Sequence, residues 1–388
     1  MYRFTLPKDM YFGKDSLCVL KTISGKKALI VLGSSFIRKQ GFLQKVIDYL
    51  EAGSIQVRLF EGVEPDPSVE TVKKGAQVMR EYEPDIIIGM GTAAPIDAAK
   101  VMHVLYEHPG IRLRDVFKPF SLPEVRKKAI FIAIPSISGS STEVTGFAKV
   151  MDYENNLKYD VMDYNITPDI TIIDPSLSVN LPRTTIGYSG VDALAHGIEA
   201  YGSKMASPIS DALAIKSVKT VVKDLVNAYG GDMNSRENII YAQSMAGMAY
   251  SNAYLGVSHS LASIIGDGFH IPHGVLSGLV LPYIIGYNKP TRMDKYAYIG
   301  RVLGLEGKND NVVVDELISL VIGLNRKIGI PYSLKEYGLD EQEFKDNIKM
   351  MAKEVSHCHC SETNPRKPSE KEIIMLLNCI YYGVKISF

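Results

Sequence analysis

No run of the roughly eighteen apolar residues that a membrane-crossing helix needs occurs in this 388-residue chain, so the sequence points away from a membrane partner. An excess of one charge sign is missing too. Lysine plus arginine and aspartate plus glutamate stand at 43 each. No basic block interleaved with aromatics offers a track for a phosphate backbone, which argues against nucleic acid. Cysteine is scarce: Cys18, Cys358, Cys360 and Cys379 are too few for a disulfide framework. The first ten residues carry Arg3 and Lys8 but no apolar core of signal-peptide length, and the chain is read as cytoplasmic. Internal repeats and low-complexity tracts are absent, and the length suggests two domains.

What is present changes character partway along. KKALIVLG (26–33), SIQVRLF (54–60), PDIIIGMG (84–91), AIFIAIP (129–135) and DITIID (169–174) are short β-rich runs. Between them, FIRKQGFLQKVIDYLEAG (36–53), the stretch from the prolines of EPDP to Tyr82, and Ile96 to Leu105 carry helical spacing. Strands alternating with amphipathic helices predict a parallel sheet flanked by helices. From about Leu181 the pattern turns into long helical stretches, among them VDALAHGIEAYGSKM, ISDALAIKSVKTVVKDLV and ENIIYAQSMAGMAYSN. The expected fold class is therefore α/β followed by all-α, with domains at 1–181 and 182–388.

In GVDALAHGIEAY, Asp192 and His196 stand four residues apart on a predicted helix, so a carboxylate oxygen and an imidazole nitrogen project from one face. Two more histidines lie in SHSLASIIGDGFHIPHG. His259 falls on a predicted helix, and His273, between Pro272 and Gly274, sits at a turn that can return it to the same point. One oxygen and three nitrogens suit Fe²⁺ or Zn²⁺ and suit Mg²⁺ or Ca²⁺ poorly. Spacing alone does not separate such a centre from an ordinary hydrogen-bonded Asp–His pair.

The first half offers places for a dinucleotide. The strand ending at Gly91 runs through Thr92, Ala93 and Ala94 into a helix, where free N–H groups and the positive dipole end favour phosphate. A second polar loop, SISGSST (136–142), follows another strand and can line the same crevice. Neither loop matches GxGxxG, and a plain strand-to-helix turn would read the same way. The first strand ends in LGSSFIRK, with Gly33 and Ser34 where an acidic residue would meet the ribose 2′-hydroxyl of NAD, and with Arg38 and Lys39 close by. That leans toward the 2′-phosphate of NADP, unless the two cations only solvate a helix face.

These segments, with YFGKDSL (11–17), GVEPDPSVETV (62–72), APIDAAK (94–100), IPSISGSSTEVT (134–145), ITPDITIIDPSL (166–177) and NPRKP (364–368), resemble the iron-containing (group III) alcohol dehydrogenases over essentially the whole chain. Their NADPH-dependent butanol dehydrogenases are the branch it looks most like. The resemblance implies a Rossmann-like dinucleotide-binding domain followed by a helical metal-binding domain, an architecture shared with dehydroquinate synthases. It implies Fe²⁺, with Zn²⁺ as the other suitable ion, held by Asp192, His196, His259 and His273. It implies cofactor contacts at Gly33 and Ser34, at Asp66, at Gly91, Thr92, Ala93 and Ala94 with Asp97, at Ser136 and Ile137, and at Lys158. NADP(H) is favoured over NAD(H), the substrates are small aldehydes and primary alcohols such as butyraldehyde and butanol, and a homodimer or higher homo-oligomer is expected.

Three departures from the family pattern stand out. GTAA replaces the usual GGGS, SISGSS replaces a threonine-containing loop, and Ser263 occupies the position of a second histidine one turn after the first. His270, an imidazole three residues before His273, is the candidate for exchanging the reaction's proton with solvent. The competing expectation is a diverged paralogue that binds metal but handles the cofactor poorly. A separate tract, His357, Cys358, His359 and Cys360, lacks zinc-ligand spacing and is expected to be a loop.

Overall fold

The computed structural model describes residues 3–33, 36–136, 139–155, 157–178 and 180–388. The chain divides into two compact units, Met1–Asn180 and Leu181–Phe388.

In the first unit β1 (Asp9–Phe12), β2 (Lys27–Leu32), β3 (Gln56–Phe60), β4 (Ile86–Gly91), β5 (Ile130–Pro135) and β8 (Ile170–Ile173) form one sheet in the order β1-β8-β5-β4-β2-β3. Every pairing in it is parallel. A parallel sheet buries both faces, which is why its central strands read as unbroken apolar runs. Leu29, Val31, Ile87, Phe131 and Ala133 point into one core, while Ala28, Ile30, Ile86, Ile88, Ile132 and Ile134 point into the other. The helices are α1 (Phe36–Lys39), α2 (Phe42–Ala52), α3 (Val69–Tyr82), α4 (Ala93–Glu107) and α5 (Leu113–Val116).

Two elements differ from the sequence expectation. The single helix expected over 36–53 is broken at Gly41, whose φ of +80° no right-handed helix accepts. Between β5 and β8 an antiparallel hairpin, β6 (Phe147–Asp152) and β7 (Leu157–Met162), stands apart from the main sheet.

From β2 the chain steps to β3 on one side and then returns to β4 on the other. The strand order therefore reverses between β2 and β4, the kind of switch point beyond which open α/β sheets hold ligands.

Glu107, at the end of α4, fastens the approach to β5. Its carboxylate accepts the N–H groups of Arg126 at 3.0 Å, Lys127 at 2.9 Å, Lys128 at 2.9 Å and Ala129 at 3.2 Å. Burial pushes this carboxyl up, but the His103 hydrogen bond and the backbone N–H groups of Lys128, Lys127 and Ala129 outweigh it and hold the pKa at about 2. A depressed carboxylate stabilises the fold above its unfolded pKa and loses that contribution as pH falls through the folded one. Glu107→Gln should therefore cost on the order of 2 kcal/mol at pH 7 after allowance for solvent screening. The difference from wild type should close as pH falls from about 4.5 toward 2, read by urea titration at each pH. A difference independent of pH would show that the charge contributes nothing.

The second unit contains α6 (Arg183–Gly202), α7 (Pro208–Gly230), α8 (Met233–Ala253), α9 (Val257–Phe269), α10 (His273–Val302), α11 (Asp310–Lys327), α12 (Leu334–Tyr337), α13 (Glu341–His357), α14 (His359–Thr363) and α15 (Glu370–Tyr382), with no strand among the described residues. α10 kinks at Arg292, two residues after Pro290. No described helix is long and apolar enough to cross a membrane. The 357–360 tract, expected as a loop, is instead the junction of α13 and α14, with Cys358 alone outside both. The four cysteines form no disulfide with one another.

Candidate functional site

α6 is buried continuously from Gly190 to Gly202, so its polar residues must find partners inside the protein. Asp192 and His196 lie one turn apart on it, with His196 Nε2 3.5 Å from Asp192 Oδ1. His259 comes from the first turn of α9, and His273 opens α10 after Pro272. His273 Nε2 lies 3.6 Å from the same Asp192 oxygen. Donor nitrogens of His196, His259 and His273 lie within 4.8 Å of one another. The His196 and His259 rings are 5.5 Å apart, and those of His259 and His273 are 4.9 Å apart and edge-on.

A tetrahedral ion with bonds of about 2.1 Å holds its donors roughly 3.4 Å from one another. The separations from Asp192 to the two histidines match that value, and one carboxylate among three imidazoles supplies a charge that suits a divalent cation. These residues fit a single Fe²⁺ or Zn²⁺.

Two further residues belong to this centre and were missed in the sequence. Ser277, one turn after His273 on α10, donates its hydroxyl to Asp192 Oδ1 at 2.7 Å and fixes that carboxylate. Glu199 continues the α6 stripe of Asp192 and His196. Burial pushes its carboxyl up to about 8, against the backbone N–H groups of Ser258, His259 and Gly256. The i, i+4, i+7 spacing of Asp192, His196 and Glu199 was the available signal; Ser277 had only its own i+4 relation to His273. Ser263 lies one turn beyond His259 on α9. His270 is exposed at the C-terminal end of α9 and does not join the three gathered histidines.

In the first unit the two polar loops meet. The Ser136 N–H donates to Gly91 O at 2.8 Å, joining the C-terminal ends of β4 and β5. Gly91 has φ +137°, a conformation open to glycine, while Thr92, the residue before α4, has an ordinary φ of −71° and makes no side-chain capping bond. None of Thr92, Ala93 and Ala94 has positive φ, so the added Cβ atoms of GTAA cost no backbone strain. Gly33 lies against the start of α4: a Cβ built there would be 3.6 Å from Pro95 Cδ. Ser34 and Ile137 fall outside the described residues.

Asp97 is buried and already engaged. One of its oxygens accepts the Thr142 hydroxyl and the other the Lys149 N–H at 3.1 Å. Lys100, one turn on, aims its ammonium at Thr142 O (2.6 Å), Thr145 O (2.8 Å) and Phe147 O (2.7 Å). Burial pushes Lys100 down to about 8 against the pull of Asp97 and Glu143. This pair holds the 142–149 segment at the end of the second polar loop. Asp66 and Lys158 come together as a partly exposed pair, Nζ to Oδ1 3.7 Å. Arg38 is exposed and paired with Glu61 at 2.7 Å.

With this geometry established, comparison with known proteins is specific. Residues 7–175 match the family model for iron-containing alcohol dehydrogenase, and residues 186–381 match that for the C-terminal region of the Fe-containing alcohol dehydrogenase family. The chain is 47% identical over 388 residues to an NADPH-dependent butanol dehydrogenase from Clostridium saccharobutylicum, covering 100% of both. Among solved structures it is similar to an iron-containing alcohol dehydrogenase from Thermococcus thioreducens, with 33% identity and a TM-score of 0.91 over 98% of this chain and 100% of that one. It is also similar to a 1,3-propanediol oxidoreductase, with 30% identity and a TM-score of 0.92 over the same shares.

Proposed function

This chain belongs to the iron-containing alcohol dehydrogenase family and is an oxidoreductase of alcohols and aldehydes, and from that premise we propose that it is an NADPH-preferring reductase of small aldehydes, butyraldehyde among them. The observation that carries this reading is the gathering of His196, His259 and His273 from three helices, with an Asp192 oxygen 3.5 Å from His196 and 3.6 Å from His273. These four residues would hold the ion. When bound, the ion supplies a Lewis acid to the substrate oxygen and the nicotinamide supplies the hydride. Asp192, braced by Ser277, contributes the one negative charge among the four donors and so offsets part of the ion's charge. His270, exposed to solvent, is the residue assigned to exchange the proton.

The dinucleotide phosphates are assigned to the N–H groups at Gly91 through Ala94, at the start of α4, with Ser136 beside them. Asp97 acts on the cofactor through the loop it fixes. Asp66, Lys158, Ser34 and Ile137 complete the assignment by resemblance. The preference for NADPH is supported by the absence of a carboxylate at Gly33, by Arg38 five residues on, and by the NADPH-dependent relative.

The test is anaerobic oxidation of NADPH and of NADH with butyraldehyde, on metal-stripped protein resupplied with Fe²⁺ or Zn²⁺. Metal-dependent turnover with a higher kcat/KM for NADPH is expected. Gly33→Asp should lower kcat/KM for NADPH about tenfold or more, since one unfavourable charge contact of about 1.4 kcal/mol gives that factor, and should leave NADH the better cofactor. Turnover that ignores added metal, or an unchanged cofactor ratio in Gly33→Asp, would overturn the corresponding half.

A further inference from the structure

The start of α9 presents a problem of hydrogen bonding. The first N–H groups of a helix have no intrahelical partner, and here the residue before the helix is Gly256, which has no side chain to cap them. Gly256, Val257 and Ser258 are all buried, so water is not at hand to take the bonds. His259 is on this first turn.

We propose that Glu199 and Asn364 are positioning residues for His259, gripping the first turn of α9 so that the imidazole stays at the metal centre. Glu199 Oε1 accepts the Ser258 N–H, one residue before His259, at 2.9 Å. Asn364 Oδ1 accepts the Val257 N–H at 3.2 Å. Both side chains are buried, Glu199 to 6% exposure and Asn364 to 0%.

Neither is free to drift. Asn364 exchanges two amide bonds with Asn288 of α10, at 3.1 and 2.8 Å, and its amide also donates to Arg366 O at 2.6 Å. Glu199 is carried by α6, on the same stripe as Asp192 and His196. That helix thus gives two donors directly and steers the helix that gives a third. Gly256 leaves the space for this grip: a Cβ there would lie 2.6 Å from Asn364 Oδ1 and 2.7 Å from Glu199 Oε1. The arrangement also gives a task to the asparagine of NPRKP, which the reaction itself does not use.

This inference rests on the metal reading above, and the experiment separates the two. Zn²⁺ affinity is measured by chelator competition on metal-stripped full-length protein, alongside the thermal midpoint, for wild type, Glu199→Ala, Glu199→Gln, Gly256→Ala, Asp232→Ala and His259→Ala. Glu199→Ala should weaken Zn²⁺ binding about 10- to 100-fold, the usual cost of losing a partner outside the ligands. Glu199→Gln keeps an acceptor oxygen and should stay within about threefold of wild type. Asp232→Ala removes a comparable cap from α8, where Asp232 accepts the Ser235 N–H at 2.8 Å. It should lower the thermal midpoint and leave Zn²⁺ affinity alone, which a merely structural role for Glu199 would also do.

Gly256→Ala, which displaces both oxygens, should reproduce the loss and serves if Glu199→Ala does not fold. Wild-type affinity in Glu199→Ala or in Gly256→Ala, or a loss in Glu199→Gln equal to that in Glu199→Ala, overturns the proposal. Wild-type affinity in His259→Ala would instead sink the metal reading on which it stands.

Discussion

His259→Ala should strip the ion and reduce turnover by at least about a thousandfold while leaving the fold in place. Losing a partner outside the ligands costs roughly 10- to 100-fold in affinity or activity, and losing a ligand itself should cost more. The remaining donors would be Asp192 and His196 on α6 and His273 on α10, which leaves one side of the centre open. The fold should survive because the first turn of α9 is held through its backbone and not through the imidazole. Val257 and Ser258 keep their bonds to Asn364 and Glu199 when the side chain at 259 is shortened. Metal per chain by elemental analysis, kcat, and far-UV circular dichroism check the three parts separately. Full activity with one ion still bound would show that His259 is not a donor; loss of the helical signal would show that the ion or the ring holds the unit together.

Much of this was legible in the sequence, for identifiable reasons. Four of the five β-rich runs became the inner strands β2, β4, β5 and β8, because a sheet buried on both faces leaves nearly every position apolar, and SIQVRLF became the edge strand β3. β1 and the β6–β7 hairpin escaped notice. Asp9–Phe12 is only four residues with three exposed side chains, and FAKVMD and LKYDVM mix charges into a ladder that is only half buried. At the metal centre Asp192 and His196 were readable because one helix sets their relation. The meeting of His259 and His273 depends on how α6, α9 and α10 pack, which periodicity does not encode. The family resemblance supplied it before the geometry did.

Lys100 marks the other limit of what the sequence conveyed, and it carries the second large effect. In IDAAKVMHVL a lysine reads as the solvated face of a helix, yet Lys100 is 1% exposed in the interior of the first unit. An ammonium has three N–H groups, and here they serve three carbonyls of the 142–147 segment together with the Thr142 hydroxyl at 2.9 Å. Burying a charge this way is tolerated only while every partner is present. Lys100→Met, close in length but with no donor, should take the ammonium's hydrogen bonds from those carbonyls and leave Asp97 without its neighbouring cation. The expected loss is about 3–5 kcal/mol, on the order of 10 °C in the melting temperature of a unit this size. Function should suffer before the unit unfolds, because α4 begins at the Gly91 loop and the 142–147 segment follows the Ser136 loop. Lys100 and Asp97 fasten one to the other. KM for NADPH should therefore rise by more than kcat falls at temperatures where the protein is still folded, and Zn²⁺ affinity in the second unit should not change. A melting temperature within a degree or two of wild type would mean that the buried ammonium contributes no net stability. A fall in kcat with KM untouched would mean that it does not act through the cofactor loops.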